Sequence, residues 1–347
     1  MTGWRELSRE EAVPWSEKLL QTEASVFQFP FWNTAFQHMH MRPRYLVYHE
    51  FDRPLAYVCI LTARLLRWKI GLVQRGPVGL EKSHFSTAAL RDLYEWARGQ
   101  QFVFIRFSHS SSEFLDHLAA VMPCKRMDGF PFYQDLSDEL LVSLDGTEED
   151  ILARFQPIAR RKIRKAATEN YVISFSEGDS EMVSVWPLFD RLAARKGFQF
   201  RPLASYLDVL RHANHIGAAR VYTARLNNEA VEALFIVRDR STAYYISGAL
   251  DIAALEGRES PSCLLHWKAM KDFKKMGIKQ YHLGSESVLQ FKRQFRPRHV
   301  VNPIPLTVIL NKPLYRVWQH VALRWAPSLR PILRRLINKG SEWFLNS

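Results

Sequence analysis

Two stretches of the chain repeat the same alternation of apolar and polar positions. Residues 45–61 (YLVYHEFDRPLAYVCIL) contain two apolar runs on either side of turn residues near Asp52-Arg53-Pro54. Residues 221–237 (VYTARLNNEAVEALFIV) have the same length and the same centre, with turn residues at Asn227-Asn228. Turn-forming residues between two strand-like runs are typical of a β-hairpin. Each stretch is therefore predicted to form two antiparallel strands.

A helix and a further strand are predicted after each hairpin. The helical pattern covers residues 87–98 in the first half of the chain and residues 261–276 in the second. Each helix is followed by a glycine, a residue that favours the end of a helix. Strand-like segments at 102–107 and 280–283 come next. Because the same elements recur in the same order, we interpret the chain as two copies of one mixed α/β domain.

The domain limits follow from where this order of elements begins and ends. A boundary is predicted near residues 136–145, since Thr147 and the acids that follow it are typical of a helix start. We therefore predict a first domain at 1–140, a second domain at 141–311 and C-terminal helices at 312–347.

The C-terminal segment carries an apolar stripe at helical spacing. Its members recur at intervals of three and four residues: Leu329, Ile332, Leu333, Leu336 and Ile337. Such a stripe usually packs against the protein's own core, so these helices are expected to pack on the first domain. The alternative is contact with a membrane surface, because three arginines lie off the stripe.

Length and composition indicate a globular protein of about two domains. Hydrophobic residues make up 47% of the 347 positions and charged residues 24%, which argues against disorder. The formal net charge of +13 suits nucleic acid, an anionic membrane surface or a phosphorylated substrate. The sequence has neither the start of a signal peptide nor a run of ~20 apolar residues that could cross a bilayer. A cytoplasmic location is expected, with peripheral contact at the inner face of the membrane as a further option.

Metal, disulfide and serine-hydrolase chemistry are not indicated. The cysteines Cys59, Cys124 and Cys263 stand far apart among apolar residues and are expected to be reduced core residues. The sequence has no CxxC or HExxH spacing, so no metal site is predicted. It also has no GxSxG motif for a nucleophilic serine. The polar run at 108–113 (SHSSSE) is interpreted as a loop or a helix cap.

Two segments are candidates for binding phosphate groups. Residues 154–165 (RFQPIARRKIRK) hold six Lys/Arg and no acid, so a helix here could present a cationic face. A solvated surface helix is an equally good interpretation. The turn at 74–79 (QRGPVG) only loosely resembles the one that holds the pyrophosphate of coenzyme A in GNAT acyltransferases. Pro77 removes one of the N–H donors that such a turn would supply.

The second half carries three motifs that resemble a known family. They are SPSCLLHWKAM at 260–270, YHLGS at 281–285 and FKRQF at 291–295. This arrangement resembles the Fem aminoacyltransferases, which build peptidoglycan interpeptide bridges from aminoacyl-tRNA and carry the patterns LLxWxAI, YDLGG and FKxxFG. Weaker similarity extends over most of the chain: Phe31-Trp32 and residues 75–78, 160–166 and 189–206. The resemblance implies two tandem GNAT-like domains of the type without a long helical arm.

The resemblance also implies a reaction and its residues. An amine on a cell-wall precursor, such as lipid II or its UDP-linked form, would attack the ester carbonyl of aminoacyl-tRNA. Lys292 is the candidate for stabilising the leaving oxygen, and Phe291 for stacking on the terminal adenosine. Substrate binding is assigned to Arg201, Tyr206, Tyr245, Gly284 and Arg293. Phosphate or tRNA binding is assigned to Arg160, Arg161, Lys162, Arg164 and Lys165. No cofactor is implied, because aminoacyl-tRNA is itself the co-substrate.

Four positions depart from the family pattern. Phe36 replaces a lysine that contacts the acceptor phosphates, and Ser108 stands where an aspartate usually follows the last strand of the first domain. The aspartate of YDLGG is His282 and its second glycine is Ser285. Because the acceptor side differs, the alternative is an acyl-CoA-dependent N-acyltransferase of cell-envelope or polysaccharide biosynthesis on the same frame. A non-catalytic module that binds nucleic acid or membrane is ranked last.

Overall fold

Two mixed β-sheets organise the chain in a computed structural model, which describes residues 2–65, 68–80, 86–127, 137–285 and 289–320. The strands of the first half are β1 Gly3–Leu7, β2 Arg42–Glu50, β3 Arg53–Leu65, β4 Trp68–Gln74, β5 Val78–Gly79, β6 Phe102–Ser108 and β7 Cys124–Arg126. Those that follow are β8 Asp138–Ser143, β9 Val172–Ser176, β10 Ala219–Leu226, β11 Glu229–Arg238, β12 Thr242–Leu250, β13 Gln280–His282, β14 Arg298–Val301 and β15 Leu306–Ile309.

Helices cover the faces of both sheets. They are α1 Arg9–Ala12, α2 Trp15–Leu20, α3 Pro30–Thr34, α4 Thr87–Gly99, α5 Ser112–Val121, α6 Glu148–Arg154, α7 Pro157–Ala166, α8 Asp179–Lys196, α9 Leu203–Ala213, α10 Ser262–Lys275 and α11 Leu289–Lys292. Short 3₁₀ turns lie at Val26–Gln28, Ala35–Met39, Asn214–Ile216, Ala253–Leu255 and Arg293–Phe295. Residues 312–320 are helical as well. Among the described residues, none of the helices combines the length and apolarity needed to cross a membrane.

The two sheets have the same strand order, which confirms the predicted pair of mixed α/β units. The first runs β1-β2-β3-β4-β6-β15-β7, with β5 paired to β3. Read from its other edge, the second runs β9-β10-β11-β12-β13-β8-β14. The fourth and fifth strands are parallel in both sheets, β4 with β6 and β12 with β13. The other neighbours pair antiparallel.

The last strand of the second half lies in the first sheet. Strand β15 pairs with β6 and β7 there, while β8, which spans the predicted limit between residues 140 and 141, pairs with β13 and β14 in the second sheet. The predicted limits 1–140 and 141–311 follow chain order, whereas β15 crosses from one sheet to the other. The first sheet is therefore not complete without the second half.

The local predictions for hairpins and helix starts are confirmed. Strands β2 and β3, and β10 and β11, form antiparallel pairs, and Asn227 and Asn228 between the latter have φ of +51° and +66°. Two positive φ values in a two-residue loop match the right-handed twist of the strands. Thr147 caps α6 by accepting from the N–H of Asp150 at 3.1 Å. Ser111, within the predicted polar run, caps α5 in the same way.

The tail begins against the first sheet. Tyr315 and Trp318 are buried, and the centroids of their rings lie 5.6 and 4.6 Å from that of Phe104 on β6. This contact holds the start of the tail on the first sheet. The predicted apolar stripe, Leu329 to Ile337, lies outside the described residues.

Candidate functional site

The side chain of Lys292, at the end of α11, is buried beside a glycine turn. It is 5% exposed, and its Nζ donates to the carbonyl oxygen of Ser285 at 2.7 Å. Gly284 has φ of +82°, and a Cβ added there would lie 3.4 Å from the Lys292 Nζ. The positive φ is what favours glycine in this turn, because the added Cβ would only be in ordinary contact with the ammonium. Burial lowers the pKa of Lys292 to about 8, although the carboxylate of Asp138 acts in the opposite direction.

A neutral histidine lies next to this lysine. His266 on α10 is buried, and its Nδ1 lies 2.9 Å from the hydroxyl of Tyr281. Burial, and then the positive charge of Lys292, lower the pKa of His266 to about 3. At physiological pH the imidazole is therefore uncharged, and the lysine carries the positive charge of the pair.

The predicted residues Phe291 and Tyr245 flank the same histidine. The centroid of the Phe291 ring lies 5.6 Å from that of His266. The centroid of the Tyr245 ring lies 4.8 Å from that of His266, and the two rings meet edge to face. Phe291 also packs on Phe295, with ring centroids 5.5 Å apart. Both predicted residues are half-buried, so each keeps some surface for a ligand. Stacking of Phe291 on adenosine stays a prediction.

The predicted acceptor residues Arg201 and Tyr206 form a second group between the two halves. The Arg201 guanidinium lies over the rings of Trp32 and Phe36, at 4.4 and 4.6 Å from their centroids. Tyr206 is buried on α9, and its hydroxyl accepts from Ser247 at 3.2 Å. Phe36, which replaces the family lysine, thus provides an aromatic face for Arg201. A lysine at position 36 would instead place two cations together.

Glu232 is a buried carboxyl that the sequence analysis missed. It is 4% exposed on β11; its Oε1 accepts from the Ser262 hydroxyl at 2.7 Å, and its Oε2 has no hydrogen-bond partner among the described residues. Burial raises the pKa of Glu232 to about 8, while the bond from Ser262 opposes the shift. An acid inside the otherwise apolar run VEALFIV is the signal that could have identified it.

The basic segment is two helices rather than one. Helix α6 ends at Arg154, and α7 begins at Pro157, a residue suited to the first helical position. The side chains of Arg161, Arg164 and Lys165 are exposed, whereas those of Arg160 and Lys162 are half-buried.

This cationic helix lies beside α11. The N–H of Gln156 donates to the carbonyl oxygen of Gln294 at 2.9 Å, which ties the start of α7 to the turn after Lys292. Arg293 is exposed at that turn. Lys165 forms an ion pair with Glu259 at 3.7 Å. The backbone therefore joins the start of the cationic helix to the turn that follows the buried lysine.

A buried ion pair connects the two halves near the same turn. Arg75, after β4, lies with Nη2 2.5 Å from Oε1 of Glu139 on β8, and His282 Nε2 lies 3.1 Å from the same oxygen. Burial would raise the pKa of Glu139, but the hydrogen bond from His282 and the charge of Arg75 outweigh it and lower that pKa to about 2. Sequence reasoning missed this cluster because Glu139 is far from both partners along the chain.

The turn at 74–79 is filled by protein groups. Gln28 donates from Nε2 to the carbonyl oxygen of Gln74 at 2.5 Å, and a Cβ at Gly76 would collide with the Gln28 amide. The N–H of Arg75 donates to the carbonyl oxygen of Ser108 at 2.7 Å. The N–H of Arg75 is already bonded and the space beside Gly76 is occupied by Gln28, so the turn is poorly suited to hold a pyrophosphate. Among the described residues, no group of three or more His, Cys, Asp or Glu is arranged to hold a metal.

Comparisons with known proteins identify the fold. Residues 153–293 match the family model of the Acetyltransferase (GNAT) domain. The structure is similar to FemX, with 13% identity, a TM-score of 0.75 and coverage of 90% of this chain and 99% of that one. It is also similar to the C-terminal domain of a protein from Agrobacterium fabrum named as a lysylphosphatidylglycerol synthetase, with 14% identity, a TM-score of 0.56 and coverage of 91% and 97%.

A third similar structure is that of a protein named as a tandem GNAT protein. It is the tandem GNAT protein of the clavulanic acid biosynthesis pathway, with 11% identity, a TM-score of 0.54 and coverage of 89% and 99%. A search of curated proteins by sequence found no match. The chain therefore has a tandem GNAT-type acyltransferase fold with a recognised GNAT domain in its second half, and the predicted resemblance to the Fem proteins is confirmed at the level of the fold.

Proposed function

We propose that the protein is an aminoacyl-tRNA-dependent aminoacyltransferase that forms an amide on a cell-wall precursor such as lipid II or its UDP-linked form. The observation that carries this proposal is the buried Lys292 ammonium at the Gly284 turn, directly beside the cationic helix α7. The acceptor is inferred from the Fem resemblance, and a cytoplasmic location at or near the inner face of the membrane would suit it.

The proposed reaction exchanges an ester for an amide. The neutral amine of the acceptor forms a bond to the carbonyl carbon of the aminoacyl group, and the bond from that carbon to the ribose oxygen breaks. Negative charge develops on the carbonyl and leaving oxygens, where a fixed cation in a dry site is most effective. Lys292, with a pKa of about 8, stays mostly protonated at neutral pH and gives up a proton more readily than an exposed lysine. It is therefore suited to stabilise and protonate the leaving oxygen, and the proton that the attacking amine loses on becoming an amide restores the ammonium.

The surface around Lys292 suits a polyanionic donor. The side chains of Arg161, Arg164 and Lys165 on α7 are exposed, as is that of Arg293, and the start of α7 is bonded to the turn after Lys292. Phosphates of an acceptor stem would contact them and release counterions. Aligning the ester and the amine in this way supplies much of the rate enhancement that such a reaction needs.

An acyl-CoA-dependent N-acyltransferase is the second candidate. The match of residues 153–293 to the acetyltransferase model favours it. Against it, Gln28 and Glu139 already engage the turn at 74–79.

Binding of charged tRNA at different salt concentrations tests the donor. We expect the affinity to fall steeply as salt rises, and the double variant R161Q/R164Q to reduce the slope of log K against log salt by about 2. The matched control is R91Q/R98Q on α4, whose side chains are exposed in the first half, and it should leave the slope unchanged. Equal slopes for the two double variants would exclude α7 as the tRNA surface.

A further inference from the structure

A series of buried contacts runs from the first half of the protein to the turn that holds Lys292. Arg75 and Glu139, 11% and 8% exposed, form an ion pair at 2.5 Å. His282 Nε2 lies 3.1 Å from the same Glu139 oxygen, and His282 Nδ1 accepts from the N–H of Gly284 at 3.0 Å. One residue further on, the carbonyl of Ser285 accepts from the Lys292 ammonium at 2.7 Å.

These contacts define the orientation of the His282 ring. Nδ1 accepts a hydrogen bond from the N–H of Gly284, so the ring proton is on Nε2, which donates it to Glu139. The Arg75 guanidinium pairs with the same carboxylate. The imidazole is thus an oriented acceptor for the turn.

We propose that His282 is a positioning residue for Lys292. Its Nδ1 fixes the N–H of Gly284, and the turn so fixed presents the Ser285 carbonyl to the ammonium. Glu139 and Arg75 hold the ring from its other side. The importance of this arrangement for catalysis rests on the proposed function, whereas its effect on the position and burial of the Lys292 amine does not.

The exchange of aspartate for histidine in the YHLGS motif agrees with this role. An aspartate at position 282 could accept the same bond from the Gly284 N–H. It would, however, offer no donor to Glu139, which His282 Nε2 reaches at 3.1 Å, and it would add a second negative charge near that carboxylate. Histidine keeps the acceptor toward the turn and adds a donor toward Glu139. The neighbouring ring of Tyr244, 5.1 Å away between centroids, packs against the imidazole.

Two amide variants separate the two bonds of the histidine. In H282N the side-chain oxygen reaches the place of Nδ1, so the acceptor for Gly284 is kept and the contact with Glu139 is lost. In H282Q the terminal amide reaches the place of Nε2, so the donor to Glu139 is kept and the acceptor is lost. The proposal requires that only H282Q disturbs Lys292.

The reactivity of the Lys292 amine is the readout. The full-length protein is acetylated with acetic anhydride at a series of pH values, and labelling of Lys292 is quantified by peptide mass spectrometry. The midpoint in the wild type is expected at about pH 8. We expect H282Q to raise it by about one pH unit, because opening the turn relieves the burial that lowers the pKa. The midpoint of H282N should stay within about half a unit of the wild type.

The outcomes separate this proposal from the proposed function. A shift in H282Q alone supports positioning by Nδ1, whereas a shift in H282N, or none in H282Q, overturns it. If H282Q does not fold, as judged by thermal melting, H282N remains decisive by itself. The control H215Q changes an exposed histidine and should have no effect. Absence of transfer from tRNA, together with a shift in H282Q, would refute the function and leave the positioning intact.

Discussion

The two sheets share one strand order, yet the turns that follow a parallel strand in each sheet differ in what they hold. After β4 of the first sheet, Arg75 is paired with Glu139 and the space beside Gly76 is taken by Gln28. After β13 of the second sheet, the turn at Gly284 and Ser285 binds the ammonium of Lys292 through the carbonyl oxygen of Ser285. The duplicated fold thus supplies one turn that joins the halves and another that positions a reactive group.

Buried ionisable groups show the same contrast. In the first sheet, Arg106 is buried but donates to the carbonyl of Met127 at 2.8 Å and to the hydroxyl of Thr307 at 3.3 Å. In the second, Lys292, His266 and Glu232 are buried with pKa values far from their ordinary ones. Strongly shifted pKa values are more frequent at functional sites than elsewhere, which directs the search for chemistry to the second half.

The largest expected effect on stability comes from disrupting strand β15, which the second half contributes to the first sheet. Val308 on β15 is buried in the core of the first sheet. We expect V308D to lower the free energy of unfolding by about 4 kcal/mol or more, because it buries an unpaired charge. The matched control is V301D on the exposed edge strand β14, where Val301 is 72% exposed. It should cost only about 1 kcal/mol, because the new carboxylate stays in water although Asp138 lies opposite it on β8.

Urea denaturation followed by fluorescence measures both variants. If V308D and V301D are equally stable, β15 does not complete the first sheet. The halves would then be more independent than the strand order indicates.

Removing the buried ammonium of Lys292 tests whether the turn of the second sheet positions a reactive group. We expect K292M to reduce kcat by about 10²- to 10³-fold, because a fixed group that stabilises developing charge is lost. Acceptor affinity should change much less. The control K268M removes a half-exposed lysine of α10 that pairs with Asp272 at 3.2 Å, and it should retain activity. A K292M protein with wild-type turnover would remove Lys292 from the mechanism.

The buried carboxyl of Glu232 predicts a pH dependence of stability. Its pKa is about 8 in the folded protein and near 4.5 when unfolded, so the folded state binds the extra proton between these values. Stability is therefore fully present below about pH 4.5 and is lost as the pH rises towards 8, on the order of 1 kcal/mol per pH unit. We expect E232Q to flatten this dependence in urea titrations at pH 5, 6, 7 and 8. Parallel curves for E232Q and wild type would show that Glu232 is ionised throughout.

The smallest expected effect is at the filled turn of the first half. A Cβ at Gly76 would collide with Gln28, so G76A should lower the free energy of unfolding by about 1–3 kcal/mol. The control G99A adds a Cβ where nothing lies within 4 Å. If this turn only supports the fold, neither substitution should alter donor affinity under conditions where both proteins are folded. A selective loss of acyl-CoA binding in G76A would instead favour the alternative donor.

The turns and helix caps that depend on neighbouring residues were predictable from the sequence. The asparagine pair at 227–228 fixes its hairpin turn through residues that tolerate positive φ. Thr147 and Asp150 cap α6 through bonds that span three residues. Such features are local, so a single sequence is sufficient to recognise them.

Contacts between distant segments were not predictable in the same way. Arg201 lies against Phe36, a contact between residues that are 165 positions apart along the chain. Glu139 and His282 are likewise separated by 143 residues. The Lys292 candidate came from a motif, but its burial and its contact with Ser285 depend on how the second sheet closes.

Transfer of labelled amino acid from aminoacyl-tRNA to a cell-envelope precursor extract tests the central claim most directly. Labelled acetyl-CoA is run in parallel, with wild type, K292M and K268M. We predict incorporation from tRNA that RNase abolishes, that K292M loses and that K268M keeps. Incorporation from acetyl-CoA alone, or equal transfer by K292M and wild type, would contradict the claim.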